Sequence, residues 1–404
     1  MTTSTFIQNP LVNSSTVPQT GARQHYLDWL RSLAILLLIF FHTGMVFVPW
    51  DFHIKNPEVS ELFIWWMSPL SDFRMPVLFF IAGAVTVFSF KKRSRRAYVR
   101  ERLQRLGWPV VFAIFLVVPP QLWVERTVQG EQYASVGAFY KTIFDFVPYP
   151  QGNLSWHHLW FVVYLLVYCL LGSLIFQRSN AVSLRLHGWI ERISAHLWAI
   201  LLCGLPLVLI ELILSPIFPT THALIGDWAT LLFYGTLFSY GYLFIQQPRF
   251  VATIERNRTL LLSLALMLTL ARFAHLQFPE YVHPYWAAEP VFTWVALLTV
   301  LGYGKRYLNR RTPVSRYLSR SSYCIYILHQ TWIVLLAFWV VPLPWSIASK
   351  FWFMALATLL LSVLGYEVLK RVPYVRVGFG ITERSAAVTN RPPLVTATTG
   401  SQLP

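Results

Sequence analysis

The sequence predicts an all-α, polytopic membrane protein of about ten transmembrane helices with both termini in the cytoplasm. Apolar blocks of about 20 residues, the length that crosses a bilayer, recur from end to end. Only 12% of the 404 residues are charged and 55% are hydrophobic, against roughly 25% charged in an ordinary soluble domain. The third observation is the placement of the basic residues, which is one-sided.

Apolar runs place spans near residues 27–48, 62–90, 107–124, 158–176, 196–217, 227–246, 259–279, 288–304, 321–341 and 350–369. With the termini inside, 26 of the 33 Lys and Arg fall in inner segments and four, Lys55, Arg126, Lys141 and Lys350, in outer loops. That asymmetry follows the positive-inside rule and fixes the orientation. It also explains the net charge of +16 through anionic lipid and an anionic co-substrate rather than nucleic acid.

Around the membrane domain, residues 26–371, the composition predicts a polar cytoplasmic tail over 1–25 and a largely disordered one over 372–404. Residues 1–24 lack the pattern of a cleaved signal. The three cysteines lie inside apolar stretches without metal-ligand or disulfide spacing, and no metal is expected.

Two spans carry prolines. The second is long enough to require tilting or breaking, and Pro76 predicts a kink within 71–76; Pro119 and Pro120 should disturb the third. The longest outer loop, about 125–157, holds Trp123, Tyr133, Tyr140, Tyr149 and Trp156 at or near it, as an interfacial segment does.

Ionisable groups inside spans are costly unless paired or wetted, so each is a functional candidate. They are Asp28, Arg31, His42, Asp72, Arg74, Glu211, Arg272, His275, His329 and, near an end, Glu367. Arg31 and His42 are eleven positions apart, within about 20° of one helix face and about 16 Å along it. Asp28 is placed to pair with Arg31. His42, Asp72, Arg74, Glu211, Arg272 and His275 fall at similar depth toward the outer surface, as a polar pocket there requires; a buried structural pair, Asp72 with Arg272, is the plainer alternative. Ser322, Tyr326 and His329 form a hydrogen-bonding stripe along the ninth span. Arg102 and Arg105, in the basic segment 91–106, are one turn apart and suited to gripping a phosphorylated ligand, or anionic lipid.

Arg31 with His42, Phe79-Phe80-Ile81-Ala82-Gly83, Arg102 with Arg105, His158-Leu159-Trp160-Phe161 and Ser322-Tyr323-Cys324-Ile325-Tyr326 together resemble the membrane proteins of acyltransferase family 3. The stretch Asp72-Phe73-Arg74-Met75-Pro76 looks most like its glucan-biosynthesis protein C branch, which attaches succinyl groups to periplasmic glucans. The resemblance covers about residues 25–370. It implies a multi-pass inner-membrane enzyme moving an acyl group from cytosolic acyl-coenzyme A to a hydroxyl of an extracytoplasmic glycan or lipid, with His42 as the essential catalytic residue. The fused extracytoplasmic esterase-like domain of some members is lacking here, so the membrane domain would act alone or with envelope glycan-assembly proteins.

The residues fit that implication. Coenzyme A would bind Arg102, Arg105 and Arg31; His42 would act as general base, oriented by Asp72. Arg74 or Arg272 would stabilise the oxyanion, with Glu211, His329 and Tyr326 lining the acceptor side. Three other readings stay open: a transporter or flippase using the same buried ions, a non-catalytic partner in a glycan-synthesising complex, and a polytopic glycosyltransferase using Glu125, Glu131 and Asp145.

Overall fold

The computed structural model describes residues 24–90, 93–176, 180–277 and 288–381. Among them the chain is all helical, with one isolated bridge, Pro148 to Leu154, outside the helices. The N-terminal tail to residue 23, Lys91, Lys92, Arg178 and the tail beyond 381 lie outside the described residues.

The elements in order are α1 His25–Gly44, α2 Glu61–Phe90, α3 Arg95–Arg102, α4 Trp108–Leu116, α5 Pro119–Val128, α6 Val136–Ile143, α7 Trp160–Ile175, α8 Asn180–Ser194 and α9 Leu197–Leu202. There follow α10 Leu205–Ile213, α11 Trp228–Phe244, α12 Pro248–Arg256, α13 Arg258–Gln277, α14 Glu289–Leu308, α15 Pro313–Val340, α16 Ile347–Leu369 and α17 Val375–Gly378.

Seven described helical stretches are long and apolar enough to cross a membrane, or up to nine if each of two bent pairs is one span. The bent pairs join α8 to α9–α10 at 118° and α11 to α12 at 105°. The tenth expected span is α14, which falls short of the same test: its last turns hold Lys305 and Arg306. Its Phe292, Trp294, Leu297 and Leu301 are buried within the protein.

The prolines act differently in the two spans. Pro119 separates α4 from α5, and the amides of Val117 and Val118 both turn back to the carbonyl of Ala113 at 2.9 Å. Helix α2 instead runs on through Pro69 and Pro76. Pro76 leaves the carbonyl of Asp72 without its usual amide donor, and the Thr293 hydroxyl of α14 donates to that carbonyl at 3.0 Å. A neighbouring helix therefore satisfies what the proline removes, which is how lipid-embedded helices tolerate proline.

At the centre α2 and α11 touch backbone to backbone. A Cβ on Gly83 would lie 1.9 Å from the carbonyl oxygen of Phe238, and one on Gly241 would lie 1.9 Å from that of Phe80. In lipid, where helices gain no hydrophobic drive toward one another, such small residues permit the close approach that holds them.

The chain stays ordered past residue 371. Phe379 is buried against Phe112 of α4, with ring centroids 5.3 Å apart, and α17 precedes it. Val375 and Ile381 pack against the same core.

Candidate functional site

Helices α1 and α15 run parallel and are joined twice. At one end Arg31 donates to the carbonyl and hydroxyl oxygens of Ser319, at 3.2 and 2.9 Å, and lies 3.7 Å from Asp28. At the other, His42 Nδ1 is 2.8 Å from His329 Nε2 and the rings stack at 5.1 Å. The course is parallel because the paired positions rise together in sequence, Arg31 with Ser319 and His42 with His329.

The second link has a fixed proton order. His329 Nδ1 is 2.6 Å from the carbonyl of Tyr326, and a carbonyl only accepts. His329 therefore carries its proton on Nδ1 and accepts through Nε2. His42 donates to it through Nδ1, which leaves the His42 Nε2 lone pair unprotonated and available as a base. His329 is fully buried and His42 half-buried.

His158 completes the group, its ring perpendicular to that of His329 at 5.3 Å and its Nε2 3.1 Å from the carbonyl of Ile327. Tyr326 donates its hydroxyl to the His158 carbonyl. The sequence holds His158 only as part of a family motif; the signal that finds it is spatial, since His158, just before α7, is far from α15 in the chain.

Arg74 lies over the face of Phe41, 3.3 Å from its ring centroid, within electrostatic reach of His42. Its Nε and Nη1 are buried with no hydrogen-bond partner. Such unspent donors beside a base suit an oxyanion.

Asp72 does not orient His42. Its carboxylate is paired with Arg272 of α13 and accepts from Ser71 at 2.5 Å. A buried carboxylate requires a cation within reach, and Arg272 supplies it, so both belong to a helix-joining pair rather than to the histidine group. Glu289 lies within electrostatic reach of both Arg272 and Glu211. Five of the six groups expected at one outer depth thus fall into two clusters: His42 with Arg74, and Asp72 with Arg272 and the nearby Glu289 and Glu211. His275, on α13, is half-exposed; Glu367, on α16, binds Lys370 and Arg371.

At the Arg31 end lies a cavity of about 880 Å³. Its mouth carries Arg102, Arg105, Arg316, Arg320, Lys370 and Arg376, and its inner wall is apolar, with Ile35, Leu78, Ile81 and Phe161. A five-residue π turn, Leu103–Gly107, follows Arg102; such turns often occur at functional sites. Arg102 donates to Ser89 at 3.1 Å, and Arg105 lies 3.2 Å from Glu101. In the sequence the cations of α15 and of the C-terminal segment signal only orientation.

The cavity stops short of the histidines. Its lining reaches Ile35 on α1 and Ser322 and Tyr323 on α15. His42 is two turns beyond Ile35, and Tyr326, only 3% exposed, stands between. Its hydroxyl is held by the carbonyl of His158.

At the far end Lys55 donates to the carbonyls of Met45, Val48 and Trp50 and clamps the loop bearing Phe52, which stacks on His42 at 6.3 Å. Burial pulls the Lys55 ammonium below its ordinary pKa.

The chain is similar to known proteins along most of its length. The acyltransferase domain family, type 3, matches residues 24–367. The chain is 24% identical over 378 residues to glucans biosynthesis protein C of Escherichia coli O157:H7, covering 89% of this chain and 94% of the relative. It is 25% identical, with the same coverage, to the proteins of that name from Escherichia coli strains ED1a and K12 / DH10B. No solved structure matches the chain significantly. With the family matched across nearly the whole described helical bundle, the chain belongs to the type 3 acyltransferases and is a multi-pass enzyme that transfers acyl groups.

Proposed function

We propose that this protein is an inner-membrane O-acyltransferase that moves an acetyl or succinyl group from cytosolic acyl-coenzyme A to a hydroxyl of an extracytoplasmic glycan or lipid. The observation that carries the reading is the proton order of Tyr326 carbonyl, His329 and His42, which leaves a lone pair on His42 Nε2. The charge asymmetry of the sequence supports ten crossings, α14 being the tenth, with both termini and the cationic cavity on the cytoplasmic side.

In this reading the phosphates of coenzyme A engage Arg31, Arg102, Arg105 and their neighbours at the mouth. The pantetheine arm lies along the apolar wall and Tyr326 swings aside to admit the thioester. His42 Nε2 takes the proton of the acceptor hydroxyl as its oxygen attacks the thioester carbonyl. Arg74 stabilises the oxyanion. Collapse breaks the carbon–sulfur bond, and the thiolate leaves to take up a proton. The names of the relatives favour a glucan as acceptor.

Two measurements test this. Purified protein should consume acetyl- or succinyl-coenzyme A and release free thiol when supplied with acceptor. Mass spectrometry of envelope glycans and lipids, with and without the gene, should show one ester disappearing. No thiol release with either thioester, with no change in any ester, would overturn the proposal.

A further inference from the structure

A second cluster of ligating groups lies beyond the histidine pair, on the side away from the cationic cavity. It joins three segments distant in sequence: His53 in the loop after α1, Glu125 in α5 and His157 just before α7. One ligand atom from each lies within 4.8 Å of the others. We propose that these three residues form a binding site for one divalent transition-metal ion, of which zinc is the best fit.

The observation that points to a ligand is His157. Its side chain is 5% exposed, and its Nε2 is buried, without a hydrogen-bond partner, 3.9 Å from Glu125 Oε2. A polar atom left this way is costly, whereas a lone pair aimed at a metal position is not. Nδ1 of the same ring is 3.0 Å from the Ser155 hydroxyl; donation there puts the lone pair on Nε2. The backbone of His157 is left-handed, at φ 39°, a conformation that non-glycine residues adopt at a cost and that gathers at binding sites.

The other two residues have the outer support that metal ligands need. Tyr149 donates to Glu125 Oε1 at 2.8 Å, leaving Oε2 toward the histidines, where His53 Nδ1 meets it. The Gln330 side-chain amide lies 2.8 Å from His53 Nε2; turned so that its oxygen faces that nitrogen, it would accept the Nε2 proton and leave the Nδ1 lone pair to the metal. In a tetrahedral zinc site neighbouring ligand atoms are about 3.4 Å apart, so small side-chain shifts close the cage. Two imidazoles and one carboxylate with a fourth position open form a set that zinc and related ions accept. This departs from the sequence reading, which assigned no metal, because the spacing 53, 125, 157 matches no local motif.

The site adjoins the histidine pair without sharing residues with it. Phe52 packs on both His42 and His53, and Gln330 follows His329.

The test uses full-length protein in detergent, carrying an affinity tag without histidine, stripped with chelator and then titrated with zinc alone. Elemental analysis after desalting should find about one zinc per chain, and zinc should raise the unfolding temperature. His157→Ala and Glu125→Gln should lose the bound zinc and its thermal shift. Tyr149→Phe, which keeps the fold and all three ligands, should weaken affinity by about tenfold or more. The proposal fails if stripped wild type takes up no zinc, or if variants that elute as monodisperse protein bind it as well as wild type.

Discussion

His42 Nδ1 lies 2.8 Å from His329 Nε2, and the carbonyl of Tyr326 fixes which of the two rings donates. His42→Ala should lower acyl transfer about 10²- to 10⁴-fold, the usual worth of a positioned base, without loss of folded protein. His329→Ala should lower kcat by about tenfold or more with little change in KM, since it orients the base rather than binding substrate. Steady-state kinetics on monodisperse protein checks both, and full activity of His42→Ala would remove the assignment.

The Asp72–Arg272 pair makes a different prediction. Asp72→Ala should destabilise the bundle by about 3–5 kcal/mol, because it breaks a buried ion pair by removing one partner. The double variant Asp72→Ala with Arg272→Leu should regain much of that loss. Thermal unfolding in detergent reads stability, and activity per folded molecule should survive in the double variant; a double variant that folds but turns over no substrate would return Asp72 to the catalytic group.

Gly83 and Gly241 set the distance between α2 and α11. Either residue changed to Leu should abolish correctly folded protein, since even a Cβ would lie 1.9 Å from the facing carbonyl oxygen. Expression as aggregate is the expected outcome. The neighbouring Ala82→Leu, on the half-buried cavity side, should still insert and fold.

At the cavity mouth, Arg102→Gln and Arg31→Gln each remove a donor worth about 1.5–3 kcal/mol to a charged ligand. Each should raise KM for the coenzyme A thioester by about tenfold or more, leave kcat nearly unchanged and reduce the sensitivity of KM to salt. A fall in kcat at constant KM would place these residues elsewhere in the mechanism.

Tyr326→Ala should join the cavity to the histidines. Thioester hydrolysis without acceptor should rise several-fold over wild type as water reaches the acyl group, while Tyr326→Trp should depress turnover. Thiol release in the absence of acceptor measures this directly, and unchanged hydrolysis in Tyr326→Ala would deny the residue a gating role.

How far the sequence revealed this site depends on the range of the interaction. Arg31 and His42 were legible because both lie on one helix, where a fixed 100° step turns spacing into geometry. The same rule gave Tyr326 and His329. Asp72 was misassigned because depth in the bilayer says nothing of azimuth: it faces α13, and His42 faces α15. His158, and the grouping of His53, Glu125 and His157, were not legible, since each requires knowing which helices are neighbours. Composition located spans well where they are straight, but the bends at 118° and 105° and the polar end of α14 fall below what an average hydropathy detects.

The two rungs between α1 and α15 make a molecular ruler. Arg31 to His42 measures about 16 Å and Ser319 to His329 about 15 Å, each along an unbroken helix. Neither rung can slide without the other, so in the proposed reaction the stretch between phosphate anchor and imidazole is constant. The enzyme would gauge its donor by the length of the arm linking charge to thioester, and carriers with a shorter or longer reach would present their carbonyl to empty space or to the wrong atom.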